Sequence, residues 1–364
     1  MKAGLVVGIL LLAALAAQPA LASPPRAMTQ TPAPHYRAFD AQGRPASVGQ
    51  IVEALAAAGV LFVGETHDDA VAHMLEAELL RRAHERFGAP AAGAGAEDKA
   101  RRVALSLEMF EADVQTVLDE YAAGLISERH FLLSSRPWRN YETDYRPLVE
   151  YARGHGLPII AANAPARYVN RVSTHGTASL ARLSAAARGW LPPIPYAPAS
   201  EAYAAKFRGF LNAESARAAS PHTPAANHPA PGAGAAPARQ AAQQPAPSPP
   251  PTRVNPHAAP PHGAHGGSSF LLDAQNLRDV SMAHRIADFL ARNRSALVVH
   301  VNGRFHSEGR LGAPEHLARY RPETRAVVVT ILRGEGFPDF DAARHAGLGD
   351  FVILTDPAVP PSQR

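Results

Sequence analysis

The chain contains no cysteine. That excludes disulfides, thiolate metal sites, a cysteine nucleophile and lipid attachment through an acylated cysteine. Lysine is almost missing as well: Lys2, Lys99 and Lys206 are the three in 364 residues, and arginine carries the remaining positive charge. The formal net charge is +4. Basic and acidic residues are interspersed, so there is no polybasic stripe of the kind that holds nucleic acid. No G-x-S-x-G elbow, P-loop or G-x-G-x-x-G follows an apolar run, which removes the usual serine hydrolase and nucleotide-binding signatures. The longest apolar run, near the N-terminus, falls short of the ~20 residues that span a bilayer.

That run has a different reading. Met1-Lys2 supplies a positive start, Gly4 to Ala17 an apolar stretch, and Ala20-Leu21-Ala22 an A-x-A cleavage site. Residues 1–22 are therefore expected to be a Sec signal peptide, and the mature protein to be soluble and periplasmic or secreted. A disordered leader is expected over 23–35. Residues 214–268 consist almost wholly of Ala, Pro, Gly, Ser, Gln and His. Such a composition buries too little apolar surface to offset ordering entropy, so a disordered insertion is expected there.

Between these segments, strands and helices alternate. Tyr36–Phe39 and the Asp40–Arg44 turn predict a short edge hairpin. Apolar, β-branched runs at 60–63, 103–107, 157–163, 296–301, 325–332 and 350–355 predict strands covered on both faces. Ser47 opens one helix, Asp68 and Asp69 another that ends near Gly88, and helices follow over 273–293 and 312–320. The pattern implies an α/β fold, a mostly parallel sheet flanked by helices, across 36–213 and 269–356. The helical stretches 113–155 and 165–213 exceed what two layers hold, so a smaller all-helical cap is expected from them.

Gly64-Glu65-Thr66-His67 follows the strand at 60–63, and Gly303-Arg304-Phe305-His306 follows the strand at 296–301. In an open α/β sheet, ligands bind outside the carboxyl ends of the strands, so the two G-x-x-H turns are expected to wall one crevice. Glu108 leaves the end of a third strand, and Asn163 and Asn302 also sit at strand ends. Two histidines with two carboxylates suit a divalent cation or acid–base work, or simply tie the strand ends together. A second candidate is the aromatic segment Trp138, Tyr141 and Tyr145, interleaved with Arg136, Arg139 and Arg146. Phenolate is one type of axial ligand to haem iron, and guanidinium groups suit propionates.

Val60–Asp69, Leu107–Glu111, Trp138 with Tyr145-Arg146-Pro147-Leu148, Ala161–Pro165, Ala274-Gln275…Asp279…Met282-Ala283 and His300–His306 together resemble the ChaN-like haem-binding uptake family, within the Tiki and erythromycin-esterase superfamily. The resemblance implies a parallel sheet with a small helical domain, and haem bound at a dimer interface with iron held by a tyrosine. Tyr145 is the expected ligand and Tyr141 the reserve. His67 or His306, and Lys206 or Arg304, are expected at the propionates. It also implies a homodimer formed on haem binding and a role in haem and iron uptake, with an outer-membrane haem receptor or haem transport system as a possible partner. Lipid attachment, found in some relatives, is excluded here by the missing cysteine. The wider superfamily implies the alternative, a metal-dependent hydrolase or protease using Glu65, His67, Glu108 and His306, with one carboxylate activating water.

Overall fold

A computed structural model describes residues 35–88, 100–219 and 270–362. The expected signal peptide, most of the leader and most of the insertion lie outside the described residues. Eight strands form one sheet in the order β2-β1-β8-β7-β3-β6-β4-β5. They are β1 (Tyr36–Asp40), β2 (Pro45–Ala46), β3 (Val60–Glu65), β4 (Val103–Glu111), β5 (Ile159–Asn163), β6 (Leu297–Gly303), β7 (Ala326–Arg333) and β8 (Phe351–Thr355). The hairpin β1–β2 runs antiparallel at one edge, and β3 to β8 are parallel to one another.

The helices are α1 (Val48–Glu53), α2 (Ala70–Phe87), α3 (Gln115–Ala122), α4 (Glu128–Ser135), α5 (Arg146–Gly154), α6 (Ala166–His175), α7 (Ala185–Arg188), α8 (Glu201–Ala219), α9 (Leu271–Arg292), α10 (Ala313–Tyr320) and α11 (Ala342–His345). Side chains alternate across a strand, so β3 feeds both layers. Leu61 and Val63 pack in the cluster that includes Leu75 and Leu79 of α2 and Leu148 of α5. Val60 and Phe62 pack with Ile286 of α9 and Leu317 of α10 on the other face. Both layers exclude water from the strands, as their uninterrupted apolar runs require.

Two local starts follow sequence chemistry closely. Ser47 and Gln50 form a reciprocal capping box at α1, and Asp69 accepts from Val71 and Ala72 at the head of α2. Each satisfies amides that have no partner inside the helix.

Of the two helical stretches expected in a cap, the second makes a small cluster of its own, with Tyr168, Val172, Leu180 and Leu191 against Leu277 of α9. The first behaves differently. Leu118, Phe131, Tyr141 and Tyr145 are continuous with the main core. The expected start of the insertion at 214 is also corrected, since α8 continues to Ala219. Ala213, Ala216, Ala218 and Ala219 carry the helix onward because alanine has the highest helix propensity.

Candidate functional site

The chain places β6 between β3 and β4, so their carboxyl ends lie side by side. Glu65 is in register with Gly303, and Val301 with Leu107. The β4–β5 register shifts between Leu107 and Glu111, on either side of Glu108, and the β4–β6 pairing ends at Leu107 just before it. Glu65, His67, Glu108 and His306 thus reach one edge, as their spacing predicts. They do not form one coordination sphere.

Pleating sends the two carboxylates to opposite layers. Glu65 shares the side of Leu61 and Val63, and meets α2 and the segment before α5. His67 Nδ1 lies 2.8 Å from Glu65 Oε1, and the Tyr145 hydroxyl donates to that same oxygen at 2.6 Å. His73 Nδ1 is 2.9 Å from Glu65 Oε2. Burial opposes ionisation of Glu65, but the His73 charge and the His67 hydrogen bond prevail and hold its carboxyl well below the usual range.

Glu108 faces the α9 layer. Its Oε2 accepts from the Gly303 amide at 2.7 Å, and its Oε1 lies 3.4 Å from His306 Nε2. His306 Nδ1 is 2.8 Å from Asp279 Oδ1, and the Tyr203 hydroxyl donates to the other Asp279 oxygen. Burial works against a charged His306, yet Glu108 and Asp279 outweigh it and raise its pKa to about 10. Burial likewise opposes the Glu108 anion, and His306 with His67 overcomes it.

The two networks meet at Gly303. A Cβ there would stand 2.6 Å from His67 Cε1 and 2.7 Å from its Nε2, so only glycine lets the ring lie against this strand end. Gly64 plays the matching part for the second turn, since a Cβ would come within 2.9 Å of the Arg304 Cα. The His67 ring also packs edge-on against Trp138, with centroids 4.8 Å apart. Its side chain is 37% exposed, whereas those of His306, Glu108 and Glu65 are 6%, 5% and 0% exposed. His67 is the group of this set that an outside molecule can touch.

The expected tyrosine ligands are placed otherwise. Tyr145 is fully buried with its hydroxyl engaged by Glu65, and burial followed by the Glu65 charge pushes its pKa well up. Tyr141 is buried against Phe110 and Phe131. Neither phenol reaches a surface on which a flat macrocycle can lie. Lys206 is spent inside the molecule, donating to the Phe305 and Glu308 carbonyls at 3.0 Å each. Arg304 pairs with Glu308 and Glu335. Asn302 ties its own turn through Gly303 O and Ser307 Oγ, and Asn163 ends β5 at the sheet edge.

Three functional-looking residues escape a reading of motifs alone, His73, Glu76 and Tyr203, and Asp279 reads as part of a motif without a role. Asp279 left a signal, an acid inside the apolar stripe Leu277, Val280, Met282. His73 and Glu76 left a weaker one, polar residues three apart on a helix face that is otherwise buried.

Residues 51–317 match the model of a family described as haem-binding uptake, Tiki superfamily, ChaN. The chain belongs to that family. Among solved structures, it is similar to ChaN of Campylobacter jejuni, described as binding haem cofacially, with a TM-score of 0.56 and 14% identity over 89% of this chain and 98% of that one. An erythromycin esterase, EreC, aligns at a TM-score of 0.39 and 13% identity, over 90% of this chain and 84% of that one. A curated relative, the chloroplastic protein RETICULATA-RELATED 5 of Arabidopsis thaliana, is 28% identical over 159 residues, 40% of this chain. The match spans only 20% of that relative's length. The ChaN family assignment and the ChaN-like sheet agree with each other.

Proposed function

We propose that this ChaN-family chain binds haem at the carboxyl ends of β3, β6 and β4, with His67 as the side chain that meets it. The observation that carries this reading is the half-exposed His67 imidazole, whose Nδ1 is held at 2.8 Å by buried Glu65. A carboxylate only accepts, so Nδ1 carries the proton and Nε2 keeps its lone pair in the neutral ring. A buried carboxylate behind an imidazole is the support that orients histidine metal ligands and raises their basicity. Haem would supply an iron, and His67 Nε2 is the nitrogen that would hold it. Trp138 offers an apolar wall beside the ring.

The expected Tyr145 ligation requires the phenol to leave Glu65 and the core, so the present geometry favours Tyr145 as a support for Glu65. Export by residues 1–22, a homodimer closed around haem, and delivery to an envelope haem transport system belong to the same proposal. They rest on the sequence and on the family.

The test is a haem titration of the mature protein, followed by absorbance and sedimentation in the same samples. Saturable binding, lost in His67→Ala and kept in Tyr145→Phe, is the expected result. A tyrosinate-type spectrum abolished by Tyr145→Phe and indifferent to His67→Ala would restore the tyrosine assignment. No saturable binding would remove haem altogether. The hydrolytic alternative keeps one observation in its favour, His67 poised on Glu65 as a base for water. Its metal-dependent form does not fit, because Glu65 and Glu108 point into different layers.

A further inference from the structure

Beneath His67, on the α2 side of the sheet, lies a second cluster, which has only Glu65 in common with the proposed haem site. Glu65 ends β3, His73 and Glu76 lie on the first turns of α2, and Asp144 precedes α5. The Glu65, His73 and Glu76 ligand atoms all lie within 4.8 Å of one another, and all three residues are buried. His73 Nδ1 is 2.9 Å from Glu65 Oε2 and 3.3 Å from Glu76 Oε2. One proton on Nδ1 serves one carboxylate. Among the described residues, Glu65 Oε2 and Glu76 Oε1 are left buried without a hydrogen bond.

Charge makes the arrangement costly. Among the described residues, the ion-pair partners of Glu65, Glu76 and Asp144 are histidines 67 and 73, with no guanidinium or ammonium. Buried carboxylates without full pairing demand neutralisation, by a proton or by a cation. We propose that Glu65, His73 and Glu76 bind a divalent transition-metal ion of the Zn2+ class, a structural site set behind the crevice. Ligands at the usual Zn–N and Zn–O lengths stand about 3.3 Å apart in a tetrahedron. The observed separations of 2.9 and 3.3 Å approach that value with no rearrangement of the backbone.

The surroundings match the way such sites are built. His73 Nε2 is buried without a hydrogen bond, 3.3 Å from Asp144 Oδ2, and Asn140 Nδ2 donates to that oxygen at 2.7 Å. Asp144 is the carboxylate placed to accept the Nε2 proton once Nδ1 turns to a metal, the arrangement that orients histidine ligands. One imidazole with two carboxylates suits Zn2+, Fe2+ or Mn2+ rather than Ca2+, which takes six to eight oxygens. The His73, Glu65 and Glu76 side chains are 4%, 0% and 0% exposed, so all three ligands are shielded from solvent. The ion would hold β3 to α2 and share Glu65 with His67, without itself meeting substrate. This assignment stands whether or not haem binds.

Metal content of the mature protein by elemental analysis, then Zn2+ titration after chelator dialysis, tests it. One tightly held equivalent is expected, with Tm falling when it is removed. Glu76→Gln, which keeps the shape, should weaken Zn2+ by more than ~10-fold and make Tm independent of zinc; Asp144→Asn should weaken it ~10–100-fold. His67→Ala should retain the ion, which separates this site from one centred on the crevice. Histidines of the 214–268 segment contribute equally to all variants. Equal zinc binding by wild type and Glu76→Gln, or loss of zinc in His67→Ala, would overturn the proposal. A Glu76→Gln variant that is unchanged or more stable at every zinc concentration would show that a proton on Glu76 neutralises the cluster instead.

Discussion

At the scale of single residues, position 303 is decisive. The Cβ of Gly303→Ala would lie 2.6 Å from the edge of the His67 ring and 3.6 Å from Glu108 Oε2. The ring is partly exposed and can swing outward, so folding should survive while haem affinity drops at least as far as in His67→Ala. A titration of the two variants side by side checks this. His306 makes a pH prediction. Its folded pKa is about 10 against an ordinary 6.5, so the stability it contributes is complete below pH 6.5 and disappears as pH climbs to about 10. Glu108 is shifted downward, so its contribution is present above pH 4.5 and is lost on acidification. Urea unfolding midpoints should therefore decline on both sides of that window. His306→Gln should flatten the alkaline decline.

Elements translate these contacts into rigidity. Asp69 caps α2, the helix that presents His73 and Glu76, and Asp69→Ala should destabilise the protein by ~0.5–2 kcal/mol. Chemical denaturation measures this directly. The cap was legible because Asp68-Asp69 precedes an apolar stripe, and the six buried strands were legible from their uninterrupted runs. The segment Tyr141–Tyr145 was not. It forms a π turn, whose wider winding turns Tyr141, Asp144 and Tyr145 all inward. Residue types alone do not distinguish that from an exposed aromatic–arginine surface, which explains why a buried support for Glu65 reads in sequence as a ligand. Pleat parity is the other hidden variable. Glu65 ends β3 and Glu108 lies near the end of β4, but opposite phases send them to opposite layers.

For the whole molecule, the sheet order was out of reach of pattern reading, since nothing in β6 itself says that it enters between β3 and β4. That insertion is what brings Gly303 against His67 and divides the site into two networks. The long Pro/Ala/His segment joins α8 to α9, and α8 leans on the second turn through Lys206 and the Phe305 ring. Replacing residues 222–267 by a short Gly/Ser linker should leave Tm and haem affinity of the monomer unchanged, as calorimetry and titration would report. A fall in both would make the segment part of the site. The shared Glu65 oxygen has a consequence for descent. One carboxylate answers to His67, His73 and Tyr145 together, so no one of these positions is free to drift alone. Across related genomes, positions 65, 67, 73 and 145 should mutate as one linked set, and 108, 203, 279 and 306 as another. Gly303 is the seam between them and should stay fixed wherever either set survives.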